Sequence, residues 1–389
     1  MNPCIIGWAH TKFGRLSDET VESLMVRVTC EALADAGLSG ADVDGTFVGL
    51  FNNGFSEQDF PSSLPFHADE SLRFKPATRF ENACATGSAA VHGALNFIAA
   101  GRGRIALVVG AEKMSHVTPA GATNALRGAS YVREEAAHPA GFAGVFGDIA
   151  AAYFERWGDH YDALARIAVK NHANAMHNPY AQFQRELDLD FCLNESPGNP
   201  LIAAPLKRSD CSPISDGAAA VIIAHPDVAR TAQKAVEFRS VAHVNDFLPA
   251  SRRDPTRLEG AAVAWQRAFE ASGGLALRDL SFVESHDCFT IAELMEYEAM
   301  GLTPPGQGHK ALDEGWVFKG GKLPVNASGG LKAKGHPIGA TGVSMHAVAA
   351  MQLCGQAGGM QIPGATVGGV FNMGGLGVAN YVSILQRQR

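Results

Sequence analysis

A layered α/β architecture is the fold class this sequence predicts, and three observations predict it. The first is a set of short apolar runs. Ile105 to Val109 ends at Gly110, and Ala218 to Ala224 and Val378 to Leu385 read the same way. These runs are continuous rather than alternating, as strands covered on both faces require. The second is Thr20 to Ala36, where Leu24, Val28 and Leu33 recur at helical spacing and Gly37 supplies a left-handed stop. The third is an internal echo. Gly37-Leu38, Asp42-Val43-Asp44 and Phe47-Val48 are answered by Gly274-Leu275, Asp279-Leu280-Ser281 and Phe282-Val283, an offset of 274 − 37 = 237. Trp8-Ala9-His10 is likewise echoed by Val241-Ala242-His243, which points to two similar halves.

Between the halves, Pro119 to about Ala204 is richer in His, Asn, Tyr and Phe and lacks strand punctuation. It reads as a mainly helical insertion able to cover a site. The expected organisation is therefore a first half of residues 1–118 and 205–235, an insert of 119–204, and a second half of 236–389.

Composition narrows the function classes. With 389 residues, 46% hydrophobic and 18% charged, the chain can bury a large core in two or three domains. A net charge of −7 without a Lys/Arg stripe speaks against nucleic acid, while a small anionic ligand remains open. Seven scattered cysteines with no Cys-x-x-Cys pair fit a reduced protein without disulfide framework or zinc cluster. No apolar run reaches the ~18 residues of a membrane span. No signal-peptide pattern opens the chain, and Gln386-Arg387-Gln388-Arg389 is not a peroxisomal address, so a cytoplasmic location is expected.

Four segments carry chemistry. In Asn82-Ala83-Cys84-Ala85-Thr86-Gly87-Ser88, small residues surround a cysteine just ahead of an Ala-rich helical run. A thiol there would feel the positive end of the helix dipole, which favours the thiolate, and a bulky thioester could approach it. The alternative is a buried structural cysteine. Around His336, Asn326-Ala327-Ser328-Gly329-Gly330 and Gly335-His336-Pro337-Ile338-Gly339 crowd glycines ahead of a helix. His336 could act as a base on a thiol or hold an oxyanion. In Glu284-Ser285-His286-Asp287-Cys288-Phe289, His286 and Cys288 lie two apart after a strand and could both face a cleft; a His-x-Cys pair alone is weak support for a metal. Finally, Phe371-Asn372-Met373-Gly374-Gly375 could present backbone N–H groups to a ligand oxygen, or be a plain turn.

Together these segments resemble the thiolase superfamily, and within it the sterol-carrier-protein-type thiolases, along nearly the whole chain. Gly335-His336-Pro337 and His286-Asp287-Cys288-Phe289 are the most specific matches, and Cys211-Ser212-Pro213-Ile214-Ser215-Asp216-Gly217 resembles the segment closing the first half. The resemblance implies two βαβαβαββ halves in five α/β/α/β/α layers, with a helical loop domain inserted in the first. It places the acyl-accepting nucleophile at Cys84, the histidine activating it at His336, and a water-assisted oxyanion contact at His286. Ordinary thiolases carry a second catalytic cysteine near the C-terminus, where this chain reads Phe371-Asn372-Met373-Gly374. In the sterol-carrier type the cysteine of the His-Asp-Cys-Phe motif is the one proposed to act as acid/base, and the resemblance places that role at Cys288. Asn326, Gly374, Gly375 and, in the insert, Phe146 are the expected substrate-binding positions.

The implied reaction is ping-pong acyl transfer between coenzyme A thioesters, either Claisen condensation or thiolytic cleavage of a 3-ketoacyl-CoA. No cofactor beyond acyl-CoA and CoA is expected, and no metal. A β-ketoacyl synthase is one alternative, disfavoured because Cys288 stands where synthases usually carry His-Gly-Thr-Gly. A non-condensing aldolase-type subunit with a zinc-ribbon/OB-fold partner protein is another, disfavoured by the retained Cys84. The resemblance also implies a homodimer or a dimer of dimers, with neither nucleic acid nor membrane as partner.

Overall fold

The computed structural model describes residues 2–388. The chain opens with β1 (Cys4–His10), α1 (Val21–Ala36), β2 (Gly45–Gly49), β3 (Ala77–Phe80), α2 (Thr86–Ala99) and β4 (Ile105–Lys113). A helical excursion follows: α3 (Pro119–Arg127), α4 (Val132–Glu135), α5 (Gly141–Trp157), α6 (Tyr161–Ala175) and α7 (Leu189–Leu193). It ends in the small hairpin β5 (Leu201–Ala203) and β6 (Leu206–Lys207). β7 (Asp216–Ala224) and α8 (Pro226–Ala229) come next. The remainder is β8 (Val236–Asn245), α9 (Glu259–Ala271), β9 (Phe282–Glu284), α10 (Thr290–Ala299), α11 (His309–Asp313), α12 (Ile338–Leu353), β10 (Val367–Gly374) and β11 (Ala379–Arg387).

The helix expected from Thr20 forms for the reasons its sequence gives. Thr20 accepts from the Ser23 N–H, Ser23 Oγ accepts from the Thr20 N–H, and Gly37 takes φ 67° at the far end. The three apolar runs become β4, β7 and β11.

The strand order is β3-β2-β4-β7-β1-β8-β11-β10-β9. β2 runs parallel to β3 and β4, and β4–β7 and β7–β1 are antiparallel. The second half repeats this with β9 parallel to β10, then β10–β11 and β11–β8 antiparallel. Val325 makes a parallel bridge to Val283, in the place β3 holds beside β2. The echoed tripeptides fall on β1 and β8, and Phe47 and Phe282 on β2 and β9. The two sheets also join edge to edge, through Cys4 opposite Glu237 and Ile5 opposite Val236.

α1 packs on β1, β4 and β7, and α9 on β8 and β11. α2 and α12 lie between the sheets against each other, which makes five layers. Every residue of α12 is buried, as a helix enclosed on all sides demands. Close approach of these two helices depends on glycine. A Cβ on Gly342 would lie 2.2 Å from the Ser88 nitrogen, and one on Gly87 2.7 Å from that of Val343. Because Cys84 and His336 precede these helices, this contact brings them together. Gly342→Ala should therefore cost about 1–3 kcal/mol or more of stability through overpacking. Urea unfolding is the check, and an unchanged midpoint would contradict the packing argument.

Candidate active site

Cys84 sits on a sharp turn between β3 and α2. Ala83 before it takes φ 49°, a strained conformation for a residue with a Cβ. The turn is held by Asn82, whose N–H donates to Thr86 Oγ1 (2.9 Å) and whose side chain donates to the Tyr381 hydroxyl (2.9 Å). The backbone N–H groups of Gly375 and of Cys84 itself face the sulfur.

His336 follows Gly335, at φ 119°. Its N–H donates to Ser215 Oγ (2.9 Å), and its Nδ1 meets Thr341 Oγ1 at 2.7 Å. The Thr341 hydroxyl donates to the Pro337 carbonyl (3.0 Å), so it can only accept from the ring. Nδ1 then carries the proton, and Nε2 presents a lone pair with no partner.

His286 has the opposite tautomer. Asn372 Nδ2 donates to His286 Nδ1 (2.8 Å) and to the Cys84 carbonyl (3.1 Å). Flipping the amide would set its oxygen against that carbonyl, so Nδ1 accepts and Nε2 carries the proton. Nε2 is buried and unpartnered. One base and one donor thus face one sulfur: donor atoms of Cys84, His286 and His336 lie within 4.8 Å of one another. That spacing could also span a metal ion, but the His286 Nε2 proton leaves only one free imidazole lone pair there.

Asp287 ties the two histidine loops together. Its carboxylate accepts from the N–H groups of Leu331 (2.6 Å) and Lys332 (3.1 Å) and from Asn171 Nδ2 (2.7 Å). Gly330 makes room for it, since a Cβ there would lie 2.2 Å from Asp287 Oδ2.

Burial dominates the electrostatics. It lowers His336 to about 3, with Lys334 adding to the effect, and His286 well below the usual imidazole value, so both rings are neutral. Burial also pushes the Cys84 thiol up to about 12 despite the Gly375 N–H, and Glu112 and Glu81 add to the rise. The expectation that the helix dipole would favour the thiolate is corrected here, because desolvation outweighs it. Cys84 is a thiol at rest and needs a base. Its alkylation by iodoacetamide should therefore keep accelerating from neutrality to about pH 10; a rate already level below pH 7 would contradict this.

Cys84 and His336 open into a cavity of about 430 Å³, and Cys288 and Phe289 line it as well. Met114, Leu126, Phe142, Ile214 and Ile338 form an apolar wall. Burial, then the neighbouring Cys84, hold the Cys288 thiol well above its ordinary value.

Two expected substrate contacts lie elsewhere. Phe146 is enclosed and stacks on Phe289 at 4.4 Å between centroids, so it backs the cavity wall rather than touching a ligand. Asn326 is buried behind the site, accepting from the Ser285 N–H (2.8 Å) and donating to Glu293 (3.0 Å), which pins the loop before His286. Gly374 packs on Asn82, and Gly375 turns its N–H to the sulfur. Asn372 is the contributor the sequence reading missed, standing in the segment noted only for lacking a cysteine. Asn372→Leu should lower kcat roughly 10–100-fold with KM for acetyl-CoA little changed, as expected when a histidine loses the partner that sets its tautomer. Steady-state kinetics checks this, and unchanged kcat would remove Asn372 from the site.

Residues 4–227 match the family model for the thiolase N-terminal domain, and 242–387 that for the thiolase C-terminal domain-like family. The chain belongs to the thiolase family. It is 38% identical over 390 residues to the acetyl-CoA acetyltransferase of Methanothermobacter thermautotrophicus, covering 98% of this chain and 99% of that protein. It is 34% identical over 391 residues to human sterol carrier protein 2, covering 95% of this chain and 69% of that protein. Among solved structures, the Ltp2-ChsH2(DUF35) aldolase superposes with a TM-score of 0.83 at 24% identity, over 100% of this chain and 98% of the other. An acetyl-CoA acetyltransferase from Syntrophomonas wolfei gives 0.75 at 17% identity, over 100% and 99%.

Proposed function

We propose that this protein transfers acyl groups between coenzyme A thioesters through Cys84 and makes or breaks the carbon–carbon bond beside the thioester. It is a thiolase-type acyltransferase. The observation that carries the catalytic assignment is one thiol facing a lone-pair nitrogen and an N–H nitrogen, at the end of a cavity that exposes a second thiol.

His336 Nε2 takes the Cys84 proton as the sulfur attacks the thioester carbonyl, and the Gly375 and Cys84 N–H groups offset the developing oxyanion charge. The proton leaves with the CoA thiol, and the acyl group stays on Cys84. In synthesis Cys288 acts as its thiolate, its own proton having passed to solvent in the open cavity after CoA leaves, and takes an α-proton from a second acyl-CoA, whose enolate oxygen is held by the His286 Nε2–H. The carbanion attacks the Cys84 acyl group, and the proton on Cys288 returns to the released Cys84 sulfur. Cleavage of a 3-ketoacyl-CoA runs these steps backwards. The exposed Arg185 and Arg208 at the cavity rim are the cations offered to the CoA phosphates.

β3 ends the strand series with its outer edge unpaired, and exposed Phe60 and Phe74 precede it, which favours a homodimer through that edge. Seven free cysteines suit a reducing cytoplasm, and among the described residues no helix is long and apolar enough to cross a membrane. The chain divides into two halves with an insert of 119–204, a reading supported by the helical run between β4 and β7. Turnover of acetoacetyl-CoA with free CoA tests the function: two acetyl-CoA per substrate is the expected yield. No cleavage of short or long 3-ketoacyl-CoAs would contradict it.

A further inference from the structure

Part of the cavity lining is polar, and the mechanism leaves it unused. Lys332 and His172 form it together with Ser209 and Cys211. Lys332 is 3% exposed and His172 1%. The ammonium meets His172 Nε2 at 3.2 Å, and His172 Nδ1 lies 3.0 Å from the Arg185 carbonyl. The ring donates to that carbonyl through Nδ1, so Nε2 is the acceptor for Lys332. One neutral acceptor satisfies one of three ammonium donors.

The nearby carboxylates are already engaged. Asp287 takes two backbone N–H groups and Asn171; Asp210 takes the Lys207 N–H and the Thr290 hydroxyl and pairs with the Lys207 ammonium. Of the other buried lysines, Lys113, Lys170, Lys207 and Lys234 have ion pairs and Lys334 donates to the Ser344 hydroxyl (2.9 Å), whereas among the described residues Lys332 has no ion pair and meets only the His172 nitrogen. Asp210 and Asp287 act on Lys332 only from beyond contact, and a buried cation with no carboxylate in contact is costly unless an anion arrives. The Ser209 hydroxyl is a second open donor, with only the weak Cys192 thiol beside it.

The geometry points to a buried carboxylate subsite: Lys332 and Ser209 hold the free carboxylate at the far end of an acyl chain carried on Cys84, so the preferred substrates are ω-carboxyacyl-CoA thioesters. This rests on the thiolase reading and names the substrate class of the same site. Depth argues for the acyl end rather than the nucleotide of CoA. Arg185 and Arg208 are exposed at the rim, where phosphates reach solvent, whereas Lys332 is enclosed.

The test compares kcat/KM for acyl loading by succinyl- and glutaryl-CoA with butyryl- and valeryl-CoA, alongside acetyl-CoA, in the wild type, Lys332→Met and Ser209→Ala. The wild type should favour the carboxylated chains about 10- to 100-fold, the range of a charged hydrogen-bond pair. Lys332→Met should erase that preference while still loading acetyl groups, and Ser209→Ala should reduce it. A wild type that loads acetyl-CoA but shows no preference would overturn the subsite and leave the acyltransferase standing; loading by no thioester would remove both. An equal rise of KM for every thioester in Lys332→Met would assign the lysine to CoA instead and also overturn the proposal. If Lys332→Met does not fold, Ser209→Ala and the wild-type preference decide.

Discussion

Cys84→Ala should lower acyl transfer by a factor of at least ~10⁴, the scale on which enzymes lose a covalent nucleophile. The fold should survive, because the small side chain at the turn packs against space the cavity already provides, and Asn82 and Thr86 hold the backbone. The loss should appear in both directions of the reaction, since the acyl group rests on this sulfur in each. Kinetics of loading and of cleavage, with circular dichroism as the folding control, check it. A variant that folds and keeps more than about 1% of the rate would assign the nucleophile elsewhere.

Cys288→Ala should separate the two half-reactions. Loading of Cys84 needs only His336 and the N–H groups near the sulfur, so the acyl-enzyme should still form within about threefold of the wild-type rate. Carbon–carbon bond formation needs a base for the α-proton, and its loss should cost on the order of 10²–10⁴-fold. The Cys288 thiol, held well above its ordinary value by burial, is a strong base once deprotonated, as the weak acidity beside a thioester requires. Burst measurements of loading against steady-state condensation distinguish the steps. Equal loss in both would make Cys288 a structural cavity residue.

Much of this architecture is legible in local sequence because its signals are local. Thr20, Ser23 and Gly37 write the ends of α1 within a few positions of themselves, and the runs at 105–109, 218–224 and 378–385 announce buried strands. Cys84 and His336 stand out because glycine and alanine crowd around them, and the glycine-rich spacing has a visible cause in the contact of Gly87 and Gly342 between α2 and α12. The parts that escaped depend on distance in the chain. Asn372 reaches Cys84 across 288 positions and His286 across 86, and nothing near residue 372 encodes either partner. Asn326 and Phe146 lie outside the cavity lining for the same reason: the partners that enclose them, Ser285, Glu293 and Phe289, come from other segments. The thiol's raised proton affinity was misjudged because a helix dipole can be read from order, while desolvation requires knowing what surrounds the sulfur.

The most direct measurement is peptide mapping of the acyl-enzyme after brief exposure of the full chain to acetyl-CoA and acid quench. The expected result is one acetyl group, carried as a thioester on the peptide containing Cys84, with Cys288 unmodified. An acetyl group on Cys288 instead, or none with acetyl-CoA or any longer thioester, would contradict it.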